Sequence, residues 1–114
     1  MLHMFPTPGF IEIRHYQSAT GDVPYSRWLS KLDPQIAERI ETYVDRMKSA
    51  NFGNTKLLSA GVFELKINFG SGFRVYFIRD SHTLVVLLCA GDKGSQHLDI
   101  RKAQTYASDY WRRK

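Results

Sequence analysis

Two predicted strands of one hairpin carry the side chains that point most directly to chemistry. Residues 62–69 alternate strictly between apolar and polar side chains, and so do residues 73–77 after a glycine-rich turn at 70–72. Side chains at alternate positions of a strand share one face of its sheet. The sequence therefore predicts a single polar face, whose members come from both strands: Glu64, Lys66, Asn68, Arg74 and Tyr76.

The turn between these strands predicts their register. A three-residue loop at 70–72 pairs Phe69 with Phe73. Counting back from that pair places Asn68 opposite Arg74, Lys66 opposite Tyr76, and Glu64 opposite Ile78.

This polar face fits cleavage of an RNA phosphodiester without a metal ion or cofactor. The reaction needs a base for the 2′-OH, an acid for the 5′-oxygen, and cations on the phosphate. Arg74 and Lys66 can stabilise the charge that grows on the phosphate, and Tyr76 can transfer protons. Lys93 and His97 follow the third strand, and they reach the same rim if that strand neighbours the hairpin.

A structural interpretation competes with this one. Polar residues are expected on any half-exposed strand face, and Lys66 opposite Tyr76 would then be only a cross-strand pair. His97, near a helix start, is more often a solvated side chain than a catalyst.

Charge and composition narrow the class of protein. The 114 residues contain a single cysteine, Cys89, so an intramolecular disulfide framework and a multi-cysteine zinc site are both excluded. Residues 1–50 carry six basic and six acidic side chains, whereas residues 51–114 carry ten and five. A one-sided basic excess favours a polyanion or an acidic protein as partner. The chain has no secretory signal pattern and no apolar run long enough for a bilayer, so we expect a cytoplasmic, non-membrane protein.

The first half of the chain predicts a strand and two helices. Residues 10–16 alternate as a strand, and apolar residues recur at helical spacing from Tyr25 to Leu32 and from Ile36 to Met47. Asp33 is expected to cap the second helix, with Pro34 at its first position.

The second half adds three strands and a last helix. Residues 83–90 are apolar on both faces, which is typical of a strand in the interior of a sheet. Ser95 is expected to cap a helix that extends to Trp111. The prediction is therefore one α+β domain over residues 1–114, of order β-α-α-β-β-β-α, with an antiparallel sheet packed on a helical hairpin and a C-terminal helix.

That order and two motifs resemble the RelE/ParE toxin superfamily, and within it the phage-derived, HigB-like addiction module killer proteins. The motifs are Gly72-Phe73-Arg74-Val75-Tyr76-Phe77 and Gly91-Asp92-Lys93-Gly94-Ser95-Gln96, the latter followed by Asp99-Ile100-Arg101-Lys102-Ala103. The resemblance runs from about residue 10 to residue 110 and implies the toxin of a type II toxin–antitoxin module.

The resemblance implies a ribosome-dependent mRNA endoribonuclease, and it assigns roles to particular residues. The family's hairpin arginine matches Arg74, and a basic residue of the preceding strand matches Lys66. Glu64 stands where RelE has a second basic residue, and Ile100 stands near the place of its C-terminal tyrosine. HigB members use a C-terminal histidine, for which His97 is the nearest match. Further phosphate-binding residues are expected among the cations of the second half: Lys93, Arg79, Arg101, Lys102, Arg112 and Arg113.

The resemblance also implies partners and leaves two other functions open. The partners are the ribosome, mRNA and a cognate antitoxin, which in this branch usually carries a helix-turn-helix domain. One alternative is a ParE-like inhibitor of DNA gyrase, which needs no acid or base on the polar face. The other is an inactive prophage remnant that only binds its antitoxin.

Overall fold

The fold is a five-stranded mixed sheet with helices on both faces, described by a computed structural model for residues 10–114. Residues 1–9, on which the predicted absence of a secretory signal rests, lie outside the described residues, so the predicted domain is seen from residue 10 onward. The elements in chain order are β1 (Glu12–His15), α1 (Pro24–Leu29), α2 (Pro34–Arg46), β2 (Thr55–Leu57), β3 (Phe63–Ile67), β4 (Phe73–Ser81), β5 (Leu84–Asp92) and α3 (Gln96–Arg113). Single 3-10 turns occupy Met47–Ser49, Ser59–Gly61 and Lys93–Ser95.

The α+β class and the C-terminal helix are confirmed, and the sheet contains more than the pattern predicted. Its strand order is β1-β5-β4-β3-β2. The pairs among β2, β3, β4 and β5 are antiparallel, whereas β1 runs parallel to β5. The short edge strand β2 was not predicted, because three residues are too few to show an alternation.

Local sequence signals fix the start of α2. The Asp33 side chain accepts the backbone N–H of Gln35 at 2.9 Å, and Pro34 fills the first helical position as predicted. Ile40 and Val44 of this helix are buried against the sheet, and each such side chain contributes about 1.5–3 kcal/mol to stability. Helices α1 and α2 thus cover one face of the sheet around a core that contains Tyr25, Leu65 and Phe77.

The other face of the sheet, which the sequence presents as polar, is covered over much of its area by α3. Ala103 and Ala107 pack against Ile78, Leu88 and other buried residues of β4 and β5. Because alanine is small, the helix backbone comes close to the sheet. The ends of β3 and β4 that lie beyond the start of α3 are not covered by this helix, and the polar side chains there line two cavities.

The hairpin between β3 and β4 differs from the predicted register by two residues. Ile67, rather than Phe69, pairs with Phe73, so that the loop spans 68–72. The Phe69 ring instead lies 6.4 Å from Tyr43 of α2, centroid to centroid, and packing against the helix removes it from the strand. A shift of two preserves the faces, because side chains alternate with a period of two. It places Lys66 opposite Arg74 and Glu64 opposite Tyr76.

Candidate functional site

Three of the predicted site residues line one cavity at the open end of the hairpin. Lys66 on β3, Arg74 on β4 and Lys93 after β5 surround a volume of about 320 Å³. Lys66 and Arg74 also line an adjoining cavity of about 150 Å³, together with Lys56, Glu64 and Gln96. We call these two cavities together the hairpin groove. Its lining contains four basic side chains and one carboxylate.

Arg74 is the most unusual side chain of the groove. The residue is only 7% exposed, although a free guanidinium is strongly hydrated. Its Nε atom is buried and has no hydrogen-bond partner among the described residues. A buried polar group normally has a partner, and a group without one needs an explanation. Here the Glu64 carboxylate lies 3.6 Å from Nε, at ion-pair distance but beyond a hydrogen bond.

Glu64 holds Arg74 in place, and the sequence did not predict this. Its carboxylate lies 3.6 Å from Arg74 Nε and 4.0 Å from Lys56 Nζ. It accepts hydrogen bonds from the Tyr76 hydroxyl at 3.2 Å and from Gln96 Nε2 at 2.9 Å. Glu64 is 2% exposed, so its contacts with Arg74 and Tyr76 form out of bulk water, whereas Lys56 approaches it from the solvent side. The carboxylate therefore joins β2, β3, β4 and α3 at the floor of the groove.

Tyr76 belongs to this floor rather than to the open part of the groove. The residue is fully buried beneath α3, and its hydroxyl is bound to Glu64. Burial, and then the neighbouring Glu64 charge, raise the pKa of Tyr76 far above its ordinary value. Its phenol therefore stays protonated and donates to Glu64.

A tight turn between β5 and α3 positions Lys93. The Asp92 carboxylate accepts the backbone N–H groups of Gly94 at 2.9 Å and Ser95 at 3.2 Å. Lys93 donates its own N–H to the carbonyl of Gly72 at 3.2 Å, which ties this turn to the hairpin loop. Ser95 lies at the predicted cap position, but its hydroxyl binds the side chain of Asp99 instead of a backbone N–H of α3.

Gly91 allows this turn to form. It pairs with Arg74 across the sheet and carries no side chain. A Cβ atom placed there would lie 1.8 Å from Asp99 Oδ2. The first turns of α3 thus rest directly on the β5 backbone beside Arg74, and Gln96 can reach Glu64.

The remaining predicted residues lie elsewhere. His97 is exposed on the first turn of α3 and does not line the groove. Arg79 lies on the opposite face of the sheet, with its guanidinium 4.6 Å from the Phe52 ring. Arg101 and Lys102 are exposed further along α3.

Arg112 and Arg113 occupy the far end of α3, about 25 Å from its start at 1.5 Å per residue. Both form ion pairs with Asp109, at 2.6 and 2.7 Å. The structure therefore joins three of the predicted cations in the groove and leaves these two apart from it.

Two general features complete the description of residues 10–114. No helix in this range is both long enough and apolar enough to cross a bilayer. The range also contains no cluster of three or more His, Cys, Asp or Glu side chains arranged to hold a metal ion.

Comparison with known proteins gives the family. Residues 27–110 match the family described as phage derived protein Gp49-like (DUF891). A protein of Haemophilus influenzae strain Rd, named only as an uncharacterized protein, is 41% identical over 86 residues, which cover 75% of this chain and 87% of that protein. The matched region contains the elements from α2 to β5 and α3 as far as Tyr110, and with them the whole hairpin groove. The chain therefore belongs to the phage-derived Gp49-like family, a family of the RelE/ParE-like toxin type.

Proposed function

We propose that this protein is the toxin of a type II toxin–antitoxin module and that its hairpin groove cleaves mRNA on the ribosome. The observation that carries the proposal is Arg74, a buried guanidinium with an unpartnered Nε, which lines the groove with Lys66 and Lys93. Such a site suits a phosphate, because arginine forms strong charge-assisted hydrogen bonds with phosphate oxygens. The proposed place of action is the cytoplasm, where ribosomes and mRNA meet.

The groove supplies electrostatic stabilisation to an internal transfer within the RNA. The 2′-oxygen attacks the adjacent phosphorus, the bond from phosphorus to the 5′-oxygen breaks, and a 2′,3′-cyclic phosphate and a 5′-hydroxyl result. Negative charge increases on the phosphate oxygens in the transition state. Arg74 meets that charge from a fixed position, and Lys66 and Lys93 meet it from the rim of the groove.

Proton transfer is assigned to an exposed side chain outside the lining of the groove. The 2′-OH loses a proton and the 5′-oxygen gains one, so the reaction is balanced without any further reactant. His97 directly follows Gln96, whose amide reaches the floor of the groove. We assign His97 to proton transfer with an RNA that lies over the start of α3. Tyr76 acts through Glu64 as a positioning residue, because its hydroxyl is buried.

The first experiment is pulse labelling after induced expression in a bacterial host. Methionine incorporation should fall before thymidine incorporation, and mRNA should be cut only when ribosomes are present. Arg74→Ala should lower the cleavage rate about 100- to 1,000-fold, the usual effect of losing one preorganised donor. Arg74→Met, which keeps much of the buried volume, guards against a folding defect, and circular dichroism checks both variants.

A matched control is available in Lys31, an exposed lysine of the turn after α1. Lys31→Ala also removes one positive charge. Cells that express it should lose methionine and thymidine incorporation to the same extent as cells that express the parent protein. An early fall in thymidine incorporation would instead assign the protein to gyrase inhibition. Continued growth with both labels unchanged would assign it to an inactive remnant.

A cognate antitoxin, with a helix-turn-helix domain in this branch, is the expected protein partner. We infer that an acidic segment of that antitoxin covers the hairpin groove, because the lining has four cations against one buried carboxylate. Binding measured by titration calorimetry should then weaken as salt is raised. Affinity that does not change with salt contradicts this mode of neutralisation.

A further inference from the structure

A third cavity adjoins the hairpin groove on the side of α2. It has a volume of about 160 Å³, and it shares Lys66 with both cavities of the groove. Its polar and aromatic lining residues come from the end of α2, the loop that follows α2 and the end of β3: Tyr43, Arg46, Asn51, Asn54 and Asn68. We call this cavity the side cavity. A nucleic-acid strand that occupies the hairpin groove can therefore continue past Lys66 into the side cavity.

The wall of the side cavity is a fixed part of the fold. The Asn51 N–H donates to the carbonyl of Arg46 at 3.0 Å, and the carbonyl of Asn54 accepts the N–H of Lys66 at 2.9 Å. The Asn51 side-chain oxygen accepts the Gly53 N–H at 3.2 Å. These bonds attach the loop both to the end of α2 and to the edge of β3. The cavity is thus preformed.

Flat cationic and aromatic groups form one side of this cavity. The Arg46 guanidinium lies 4.7 Å from the centre of the Tyr43 ring. Next to the cavity but outside its lining, Phe69 stacks on Tyr43 at 6.4 Å with an angle of 19° between the rings, and the Arg39 guanidinium lies 4.1 Å from the Phe69 ring. Nucleobases stack on aromatic rings and on guanidinium planes of this kind. Asn51, Asn54 and Asn68 add amide groups that can bind the edges of a base.

The distribution of ion pairs leaves these cations available. Among the described residues, the cations with a carboxylate within 4.0 Å are Arg14, Arg27, Lys48, Lys56, Arg74, Arg112, Arg113 and Lys114. Neither Arg39 nor Arg46 forms such a pair within that range of the chain. Their charge is therefore free to attract an anionic strand.

We propose that the side cavity binds one base of single-stranded RNA next to the phosphate that the hairpin groove holds. The inference rests on the proposed function, because it takes the groove as the site of the phosphate. It adds a subsite that contacts a base, whereas the groove contacts the RNA backbone. Arg46 stacks on the base, and the asparagine amides contact its edge.

The test compares two short single-stranded oligonucleotides of equal length and charge, one with bases and one abasic. Binding is measured by fluorescence anisotropy at low salt. The parent protein should bind the base-containing strand about 5- to 150-fold more tightly, which is the range that stacking of one base supplies. Arg46→Lys keeps the charge but removes the planar group, so it should reduce the affinity for the base-containing strand much more than the affinity for the abasic strand. A second variant, Arg46→Ala, removes the charge as well as the planar group. Lys31→Ala removes one charge far from the cavity and is its control.

The outcomes separate this inference from the proposed function. If Arg74→Ala abolishes cleavage while Arg46→Lys keeps the full base preference, the groove cleaves RNA and the side cavity is not a subsite. If cleavage fails in every assay while Arg46→Lys still loses the base preference, the RNA-binding subsite stands without the nuclease. If Arg46→Ala weakens only the complex with an acidic antitoxin segment, the cavity binds protein and the inference is wrong.

Discussion

The carboxylate of Glu64 and Nε of Arg74 lie 3.6 Å apart, and each side chain is less than one-tenth exposed. A buried ion pair is tolerated when further hydrogen bonds satisfy the charges. Tyr76 and Gln96 provide such bonds to Glu64, whereas Arg74 Nε has none. The satisfied carboxylate thus fixes a charged arginine in the lining of the hairpin groove.

Glu64→Ala should destabilise the protein by about 3–5 kcal/mol, because it leaves the Arg74 charge buried without a partner. Urea unfolding followed by circular dichroism measures the change. Glu38→Ala, at an exposed position of α2, is the control and should stay within about 0.5 kcal/mol of the parent. Equal stability of the two variants would contradict the role given to Glu64.

Gly91→Ala should destabilise the protein by about 1–3 kcal/mol through overpacking, because its Cβ would lie 1.8 Å from Asp99 Oδ2. Gly94→Ala is the control, since its nearest atom would be Asp92 Oδ1 at 3.4 Å. Thermal unfolding compares the two. In the double variant with Asp99→Ala the losses should be less than additive, and simple additivity would show that the contact is absent.

Acid should weaken the contact between the end of α3 and Tyr16, which directly follows β1. Hydrogen bonds from Arg113 and then Tyr16 lower the pKa of Asp109 to about 2. A carboxyl whose pKa is lowered on folding stabilises the protein above its unfolded pKa, near 3.9 for aspartate, and loses that effect as the pH falls. The parent should therefore lose stability between about pH 4 and pH 2. Asp109→Asn should show a smaller loss across the same interval in acid unfolding, and an unchanged profile would rule out this contribution.

Lys93→Ala should reduce the salt dependence of RNA binding. Each phosphate contact releases condensed counterions, so losing one lowers the slope of log affinity against log salt by about one. Anisotropy titrations from low to physiological salt give the slope. The exposed Lys31→Ala should keep the parent slope, and the same result for Lys93→Ala would place Lys93 away from the phosphates.

Cys89 should resist alkylation in the folded protein. Burial, and then the charge of Asp99, raise the pKa of its thiol to about 12, so little thiolate exists at pH 8. Iodoacetamide at pH 8 should react only after denaturant is added, as followed by mass. Rapid labelling of the native protein would show that α3 detaches readily from the sheet.

The parts of the fold that the sequence predicted are those with local causes. Asp33 and Pro34 specify the start of α2 through bonds and dihedral angles within a single turn. The alternation through β3 and β4 assigned Lys66 and Arg74 to the same face, and the shift in register preserved that assignment. The convergence of Lys93 with these two residues required β5 to neighbour β4, which the order of hairpins made the simplest arrangement.

The features that the sequence did not predict depend on contacts between residues that are far apart in the chain. Phe69 is not paired in the hairpin because its ring packs on Tyr43 of α2. Turn rules consider only the residues of the hairpin, so they cannot predict this contact. Tyr76 is buried because α3, beginning twenty residues later, packs over it. Helix α3 also buries Glu64, which binds Arg74, Tyr76 and Gln96. The alternating pattern predicted solvent-exposed polar residues here, but Glu64 and Tyr76 are buried. Lys56 was missed together with the short strand β2 that carries it.

The parallel pairing of β1 with β5 has a consequence for synthesis of the chain. Glu12 and Leu84 are partners, although about 70 residues separate them in the sequence. A ribosome that adds about 5–20 residues per second needs roughly 4–14 s to make that interval. Lys93 and Gln96, which complete the groove, are made later still. The nascent chain therefore carries no finished groove until β5 and the start of α3 have both been translated.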